Sequence, residues 1–244
     1  MTLVLATDET GGPEIFASVQ GEGPSAGMPV AFIRLSRCNL ACVWCDTAYT
    51  WHFDGDERPH RSGETFDRKA NQVTLQAADA AQRIAALGQN RLVITGGEPT
   101  MQAGKLAEML EHLPDMRVEI ETNGTVKPPA RLDVRVDQYN VSPKLAHSGN
   151  PAELALKPDM LDHWASEPRA WFKFVIAAPG DVDEVLSLVE RHAIPRDRVF
   201  LMPEGTDSAT LRERMEWLVP LCLKHGFRLS DRAHIHLFGD TRGT

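Results

Sequence analysis

Three of the chain's four cysteines stand in one stretch, Cys38-Asn39-Leu40-Ala41-Cys42-Val43-Trp44-Cys45. The spacing is C-x3-C-x2-C. Three thiolates on one tight loop can each hold a different iron of a cubane cluster, leaving the fourth iron open to a small molecule. The same residue types allow other chemistry. A structural zinc site needs four closed ligands, and His52 is in range to complete a Cys3His set. Cys42 and Cys45 alone make a C-x2-C redox pair, and all three can be unliganded thiols. The remaining Cys222 lies in an apolar helical stretch, Trp217-Leu218-Val219-Pro220-Leu221-Cys222-Leu223, where a buried structural cysteine is expected.

Four further motifs follow apolar runs. In Thr95-Gly96-Gly97-Glu98-Pro99 the two glycines let the backbone approach a ligand closely, and Glu98 can accept from an ammonium. Glu121-Thr122-Asn123-Gly124 and Ser142-Pro143-Lys144 offer polar groups for hydroxyls and a carboxylate. Met202-Pro203-Glu204-Gly205 can present backbone groups to a ring. Taken singly, each also reads as a turn or a cap.

These motifs need a scaffold that gathers them. Residues 30–35 (VAFIRL) read as a strand running into the cysteine loop. Further strands are expected at 91–95, 117–121, within 134–141, at 171–176 and at 199–202, with a short last one at 235–238. Thr74 is placed to cap a helix that ends at Gly88. Helices are also expected at 105–113, 181–192 and 208–225, the last with a kink at Pro220. Strands alternating with helices imply a mainly parallel sheet. The uneven connections favour an α/β fold with a partial, open barrel of about six mainly parallel strands and helices outside. In such folds the site lies at the C-terminal strand ends, which is where every motif falls. Residues 1–244 read as a single domain, with a flexible N-terminus at 1–12 and a polar loop or small insertion at 48–72.

Composition bounds the function. The chain has 244 residues, 42% of them hydrophobic, enough for one sizeable core. The formal net charge of −8, with no dense basic run, argues against nucleic acid as the ligand. No run of eighteen apolar residues suggests a membrane span, and residues 1–12 do not resemble a secretory signal, so the expected compartment is the cytoplasm.

The C-x3-C-x-W-C pattern with Gly96-Gly97-Glu98-Pro99 resembles the radical S-adenosylmethionine superfamily. That resemblance implies a 4Fe–4S cluster on Cys38, Cys42 and Cys45, whose open iron chelates the amino and carboxylate groups of S-adenosylmethionine. One-electron cleavage then yields a 5′-deoxyadenosyl radical that takes hydrogen from a substrate. It places Trp44, Asp46, Gly96, Gly97 and Glu98 at the cofactor. It likewise assigns Glu121, Asn123, Ser142, Pro143 and Lys144 to ribose and methionine, and Met202, Pro203, Glu204 and Gly205 to adenine.

A closer resemblance starts upstream. The run from Ile15 through Val19-Gln20-Gly21-Glu22-Gly23, Gly27-Met28-Pro29 and Phe32-Ile33-Arg34-Leu35 to Asp46-Thr47 is similar to the 7-carboxy-7-deazaguanine synthase family. The family converts 6-carboxy-5,6,7,8-tetrahydropterin into 7-carboxy-7-deazaguanine with loss of ammonia, on the way to queuosine and other 7-deazapurines. The resemblance implies catalytic use of S-adenosylmethionine, a magnesium ion on Thr47, a reducing partner such as flavodoxin or ferredoxin, and a homodimer. Val19, Gln20, Gly21, Glu22, Arg34, Thr95 and the terminal Thr244 are its expected substrate contacts. Gln20 and Glu22 suit the donor and acceptor edge of a pterin, and Arg34 suits its carboxylate, a structural ion pair being the other reading. His234 and His236 are expected to be structural. The 48–72 segment, and Met202 in place of a polar side chain at the adenine, depart from the pattern. A glycyl-radical activase would keep the cysteines and the GGEP motif without needing Gln20 to Gly23. A zinc-stabilised binding module is the alternative that is not an enzyme.

Overall fold

Short runs rich in Val, Ile and Leu, bounded by turn residues, form the centre of the molecule. The computed structural model describes residues 2–244, and in it these runs build one sheet of ten strands. They are β1 (Thr2–Ala6), β2 (Ile15–Val19), β3 (Pro29–Leu35), β4 (Gln72–Gln76), β5 (Arg91–Gly96), β6 (Arg117–Thr122), β7 (Gln138–Val141), β8 (Ala170–Ile176), β9 (Val199–Pro203) and β10 (Arg228–Leu229). The order is β10-β9-β8-β7-β6-β5-β3-β1-β4, with β2 beside β3. Every pairing from β3 through β10 is parallel. β1 and β4 add an antiparallel edge, and β2 makes an antiparallel pair with β3. The two ends of the order do not pair with each other, so the barrel is open, as expected.

Strand alternation sorts the side chains onto two faces. Ile33, Leu92, Ile94, Val118, Ile120, Tyr139, Val141, Phe172, Phe174 and Leu201 belong to the main core. Helices Ala77–Ala86, Ala103–Glu111, Pro158–Ser166, Asp181–Arg191 and Ser208–His225 contribute the rest of it. Helix Asp181–Arg191 shows the pattern: Val182, Val185, Leu188 and Val189 are buried and its other residues are less so. Each fully buried Leu or Ile stabilises by about 1.5–3 kcal/mol, which lets the opposite face be polar. The alternate residues Arg34, Thr95, Glu119, Glu121, Asn140 and Lys173 lie on that face. Its one apolar cluster is Val30, Phe32 and Val93, with Phe16 against them.

Three local expectations are corrected. Residues 2–6 are not flexible: Leu3, Leu5 and Ala6 are fully buried, and β1 is paired on both sides. An apolar TLVLA run gains more by entering the core than by staying solvated. Thr74 does not cap a helix. It pairs with Val4 in β4, because β1 needs a partner and Val73 and Leu75 pack against the core; the helix begins at Ala77. Its end is as expected, with Gly88 at φ +71 just beyond the cap. Residues 235–238 are not a strand but part of helix Ala233–Phe238. The sheet already ends at β10, so the tail has no strand to pair with and closes its own helical bonds, Gly239 N–H donating to Ile235 O at 3.0 Å. β2 is an element the sequence reading did not separate from its motif.

Segment 48–72 is more ordered than a plain loop. It contains a helical turn at Ala48–Thr50 and a short helix at Arg68–Asn71, and Trp51, His52 and Phe53 are buried. Cys222 is buried in its helix, its thiol pushed up to about 11 by burial. Among the described residues, no helix is long and apolar enough to cross a membrane.

Candidate active site

A cavity of about 690 Å³ opens at the C-terminal ends of the parallel strands. The cysteine loop forms one wall. Arg37, just before it, adopts φ +80, a conformation costly for a side-chain-bearing residue. It is held by its N–H on Thr50 O at 2.7 Å and by its carbonyl, which accepts from Glu98 N–H at 2.9 Å. That turn sends Cys38, Cys42, Trp44, Cys45, Asp46 and Thr47 into the cavity wall. Asn150 steadies the loop, donating to Cys42 Sγ at 3.3 Å and accepting from Ala41 N–H at 2.8 Å. The 48–72 segment clasps it from outside: His60 Nε2 meets Cys45 O at 2.9 Å, and Arg61 N–H donates to Val43 O at 2.7 Å.

The Gly-Gly pair acts first by packing. A Cβ on Gly96 would lie 2.1 Å from Leu35 O, and one on Gly97 would lie 1.9 Å from Arg37 O. Only glycine lets the end of β5 press against the entry to the cysteine loop. Both line the cavity, but Glu98 does not. Its carboxylate is fully buried and accepts from Thr100 N–H at 3.0 Å, Thr100 Oγ1 at 2.6 Å, Thr122 Oγ1 at 2.8 Å and Asn123 N–H at 2.7 Å. Here Glu98 braces the loops rather than offering itself to an ammonium. Burial pushes its pKa up, against those hydrogen bonds.

Asn123 lines the cavity and donates to Asn39 Oδ1 at 2.9 Å, tying the β6 end to the cysteine loop. Ser142 and Lys144 line it too, joined at 2.8 Å, whereas Pro143 does not. Trp44 stacks on His147 with ring centroids 5.4 Å apart. At the end of β9, Met202, Pro203, Glu204 and Gly205 all face the cavity, and Glu204 is neutralised by Arg61 and Arg214.

The opposite wall carries the expected substrate residues Val19, Gln20, Gly21, Glu22, Arg34, Thr95 and Thr244. Gln20 is fixed before any ligand arrives. Its Nε2 donates to Glu119 at 2.9 Å and Glu121 at 3.2 Å, and its Oε1 accepts from Glu22 N–H at 3.3 Å. Thr95 Oγ1 donates to Glu121 at 2.8 Å. Glu22 pairs with Lys173 and, at 3.0 Å, with Arg232. Burial works to raise the Glu22 pKa, but the Lys173 and Arg232 charges prevail and hold it well below the usual carboxylate range. Arg34 pairs through Nε with Glu14 at 2.7 Å. Among the described residues that is its side chain's one hydrogen bond, so both terminal nitrogens stay available to the cavity.

The residues missed from sequence are Glu14, Glu119, Asn140, Lys173 and Arg232. Lys173 carried a signal: it is the single charge in the apolar run WFKFVI, and a buried lysine requires a partner. Arg232 carried none, because no local pattern ties it to Glu22, 210 positions away.

The radical SAM superfamily matches residues 32–144. A 7-carboxy-7-deazaguanine synthase from Pyrobaculum aerophilum is 37% identical over 94% of this chain and 95% of its own length. The chain belongs to the 7-carboxy-7-deazaguanine synthase family. A second relative of that name, from Hyperthermus butylicus, is 35% identical over 91% of this chain and 90% of its own. The crystal structure of QueE from Escherichia coli superposes with a TM-score of 0.64 at 26% identity, over 95% of each chain. As a 7-carboxy-7-deazaguanine synthase, the chain is a radical S-adenosylmethionine lyase. Its cofactors are a 4Fe–4S cluster and S-adenosylmethionine.

The residues present fit those groups. Cys38, Cys42 and Cys45 all reach one cavity. A cubane spaces its thiolates more widely than one ion does, since each binds a different iron. Burial pushes the Cys38 thiol up to about 12 and Cys42 up to about 11, so binding the cluster must release protons. The zinc reading loses its fourth ligand, because both ring nitrogens of His52 face backbone carbonyls, Glu64 O at 2.7 Å and Arg58 O at 3.0 Å.

Proposed function

We propose that this chain converts 6-carboxy-5,6,7,8-tetrahydropterin into 7-carboxy-7-deazaguanine with loss of ammonia. The observation that carries the substrate assignment is Arg34. A half-buried guanidinium with both terminal nitrogens unspent lines the same cavity as the three cysteines, and a bidentate carboxylate is its natural ligand. When bound, the cluster and S-adenosylmethionine supply one-electron cleavage and hydrogen-atom abstraction.

The chain's own residues orient and exclude. Arg34 grips the substrate carboxylate while Glu14 fixes its angle. Gln20 and Glu22 form the edge that meets the pterin amide and amine, pre-set by Glu119, Glu121, Lys173 and Arg232. Thr95 and Thr244 complete the contacts. On the other wall, Trp44, Asp46, Gly96, Gly97, Asn123, Ser142, Lys144 and the 202–205 backbone receive S-adenosylmethionine. Glu121 lines the cavity and joins Gln20 and Thr95 to that wall, while Glu98 and Pro143 shape the loops around it.

Magnesium belongs to the proposal at Thr47, whose hydroxyl lines the cavity beside Cys45. One protein oxygen, the substrate carboxylate and waters suit that ion. A flavodoxin or ferredoxin as reductant, a homodimer and a cytoplasmic setting complete the reading and rest on family membership.

Anaerobic calorimetry of the reconstituted protein tests the substrate class. The 6-carboxy pterin should bind at least about tenfold more tightly than the analogue lacking the carboxylate, a difference of about 1.4 kcal/mol. Equal binding of the two would refute the assignment.

A further inference from the structure

Arg232 follows β10 and is 6% exposed. Its Nε donates to Glu22 Oε1 at 3.0 Å, its Nη1 donates to the Gly205 carbonyl, and its Nη2 reaches the Asp46 carboxylate. These partners come from three separate walls. Glu22 stands at the substrate edge, Asp46 directly follows the last cluster cysteine, and Gly205 ends the loop expected at the adenine. The backbone around Arg232 is stitched to the same edge: Ala233 N–H donates to Gly21 O at 3.0 Å, and Gly23 N–H donates to Ser230 Oγ at 2.9 Å. Burial opposes the charge, but Asp46 and Glu22 outweigh it and keep the guanidinium protonated.

The guanidinium fork is planar and rigid, so it cannot follow one partner without loosening another. Glu22 is itself shared with Lys173. A ligand that draws on Glu22 therefore changes the pull on Arg232, and through it the pull on Asp46.

We propose that Arg232 is a positioning residue that couples pterin occupancy of the Glu22 edge to the placement of the cluster loop, so that S-adenosylmethionine cleavage is tied to a seated substrate. The inference rests on the substrate reading above. Arg232 acts through Glu22 and Asp46, not on the reacting atoms.

The test compares the reconstituted wild type with Arg232→Lys and Arg232→Met. Hydrogen exchange of residues 38–47 is followed with and without 6-carboxy-5,6,7,8-tetrahydropterin. Turnover is followed as 5′-deoxyadenosine released per 7-carboxy-7-deazaguanine formed. In the wild type the pterin should slow exchange in 38–47. Arg232→Met should lose that protection and raise the ratio by about tenfold or more, with Arg232→Lys between. A methionine variant with wild-type protection and ratio overturns the inference. So does a wild type that turns over without protecting 38–47, and so does failure of both variants to load the cluster, which would make Arg232 a fold contact only. A wild type that makes no 7-carboxy-7-deazaguanine overturns the substrate reading instead, and shows it before any variant is compared.

Discussion

Gly21 faces His234 so closely that a methyl group on its α-carbon would lie 2.3 Å from the imidazole Nδ1 and 3.0 Å from the His234 backbone nitrogen. The C-terminal tail therefore closes the substrate edge only because residue 21 has no side chain. In Gly21→Ala the tail must retreat, taking Arg232 and Thr244 with it. The KM for the pterin should rise about tenfold or more, while iron content stays near wild type. Steady-state kinetics with iron analysis check this, and an unchanged KM contradicts it.

Arg34 should not tolerate lysine. An ammonium cannot hold Glu14 and a carboxylate in one plane as the guanidinium can. Losing one charged hydrogen bond costs about 1.5–3 kcal/mol, so kcat/KM for the pterin should fall about tenfold to a hundredfold. The far-ultraviolet circular dichroism should not change.

Glu98 should prove structural. Replacing it with glutamine puts an amide against donors that now meet carboxylate oxygens, including Asn123 N–H at 2.7 Å and Thr122 Oγ1 at 2.8 Å. One buried donor left unpaired costs about 1–3 kcal/mol. For a chain of this size that lowers Tm by about 2–4 °C per kcal/mol. Thermal unfolding of Glu98→Gln checks it; a variant as stable as wild type contradicts it.

The Glu22 network fixes a pH dependence. Its pKa is depressed by Lys173 and Arg232 from an ordinary 4.5. The folded carboxylate thus adds stability that is fully present above pH 4.5 and fades as pH falls below that value toward the folded pKa. Glu22→Gln should be less stable than wild type by about 3 kcal/mol at pH 7, a buried charge pair having lost one partner. The gap should hold to pH 5 and narrow below 4.5. Urea unfolding across that range checks the sign, and a gap that widens with acid contradicts it.

What the sequence made legible follows from local physics. The cysteine loop, the Gly-Gly pair and the strands that carry them each lie within one short run, where residue type and spacing suffice. β1 and β4 were missed because an antiparallel edge is defined by its partner, and TLVLA and QVTLQ are too short for period alone to decide. The HIHLF run at 234–238 alternates like a strand, yet it folds as a helix for want of a neighbour. The site's electrostatics were least visible of all. Glu22 and Arg232 lie 210 positions apart, and no local pattern marks such a pair. The bracing bonds of Glu98 were hidden for the same reason, since its four donors come from two loops.

One anaerobic turnover decides whether this chain forms 7-carboxy-7-deazaguanine. Reconstituted protein is mixed with reductant, magnesium, S-adenosylmethionine and 6-carboxy-5,6,7,8-tetrahydropterin deuterated at C6, and all products are resolved by mass spectrometry. The expected result is 7-carboxy-7-deazaguanine, deuterium carried into 5′-deoxyadenosine or S-adenosylmethionine, and loss of both in Cys42→Ala. A cluster-loaded wild type that cleaves S-adenosylmethionine yet forms no 7-carboxy-7-deazaguanine would contradict it.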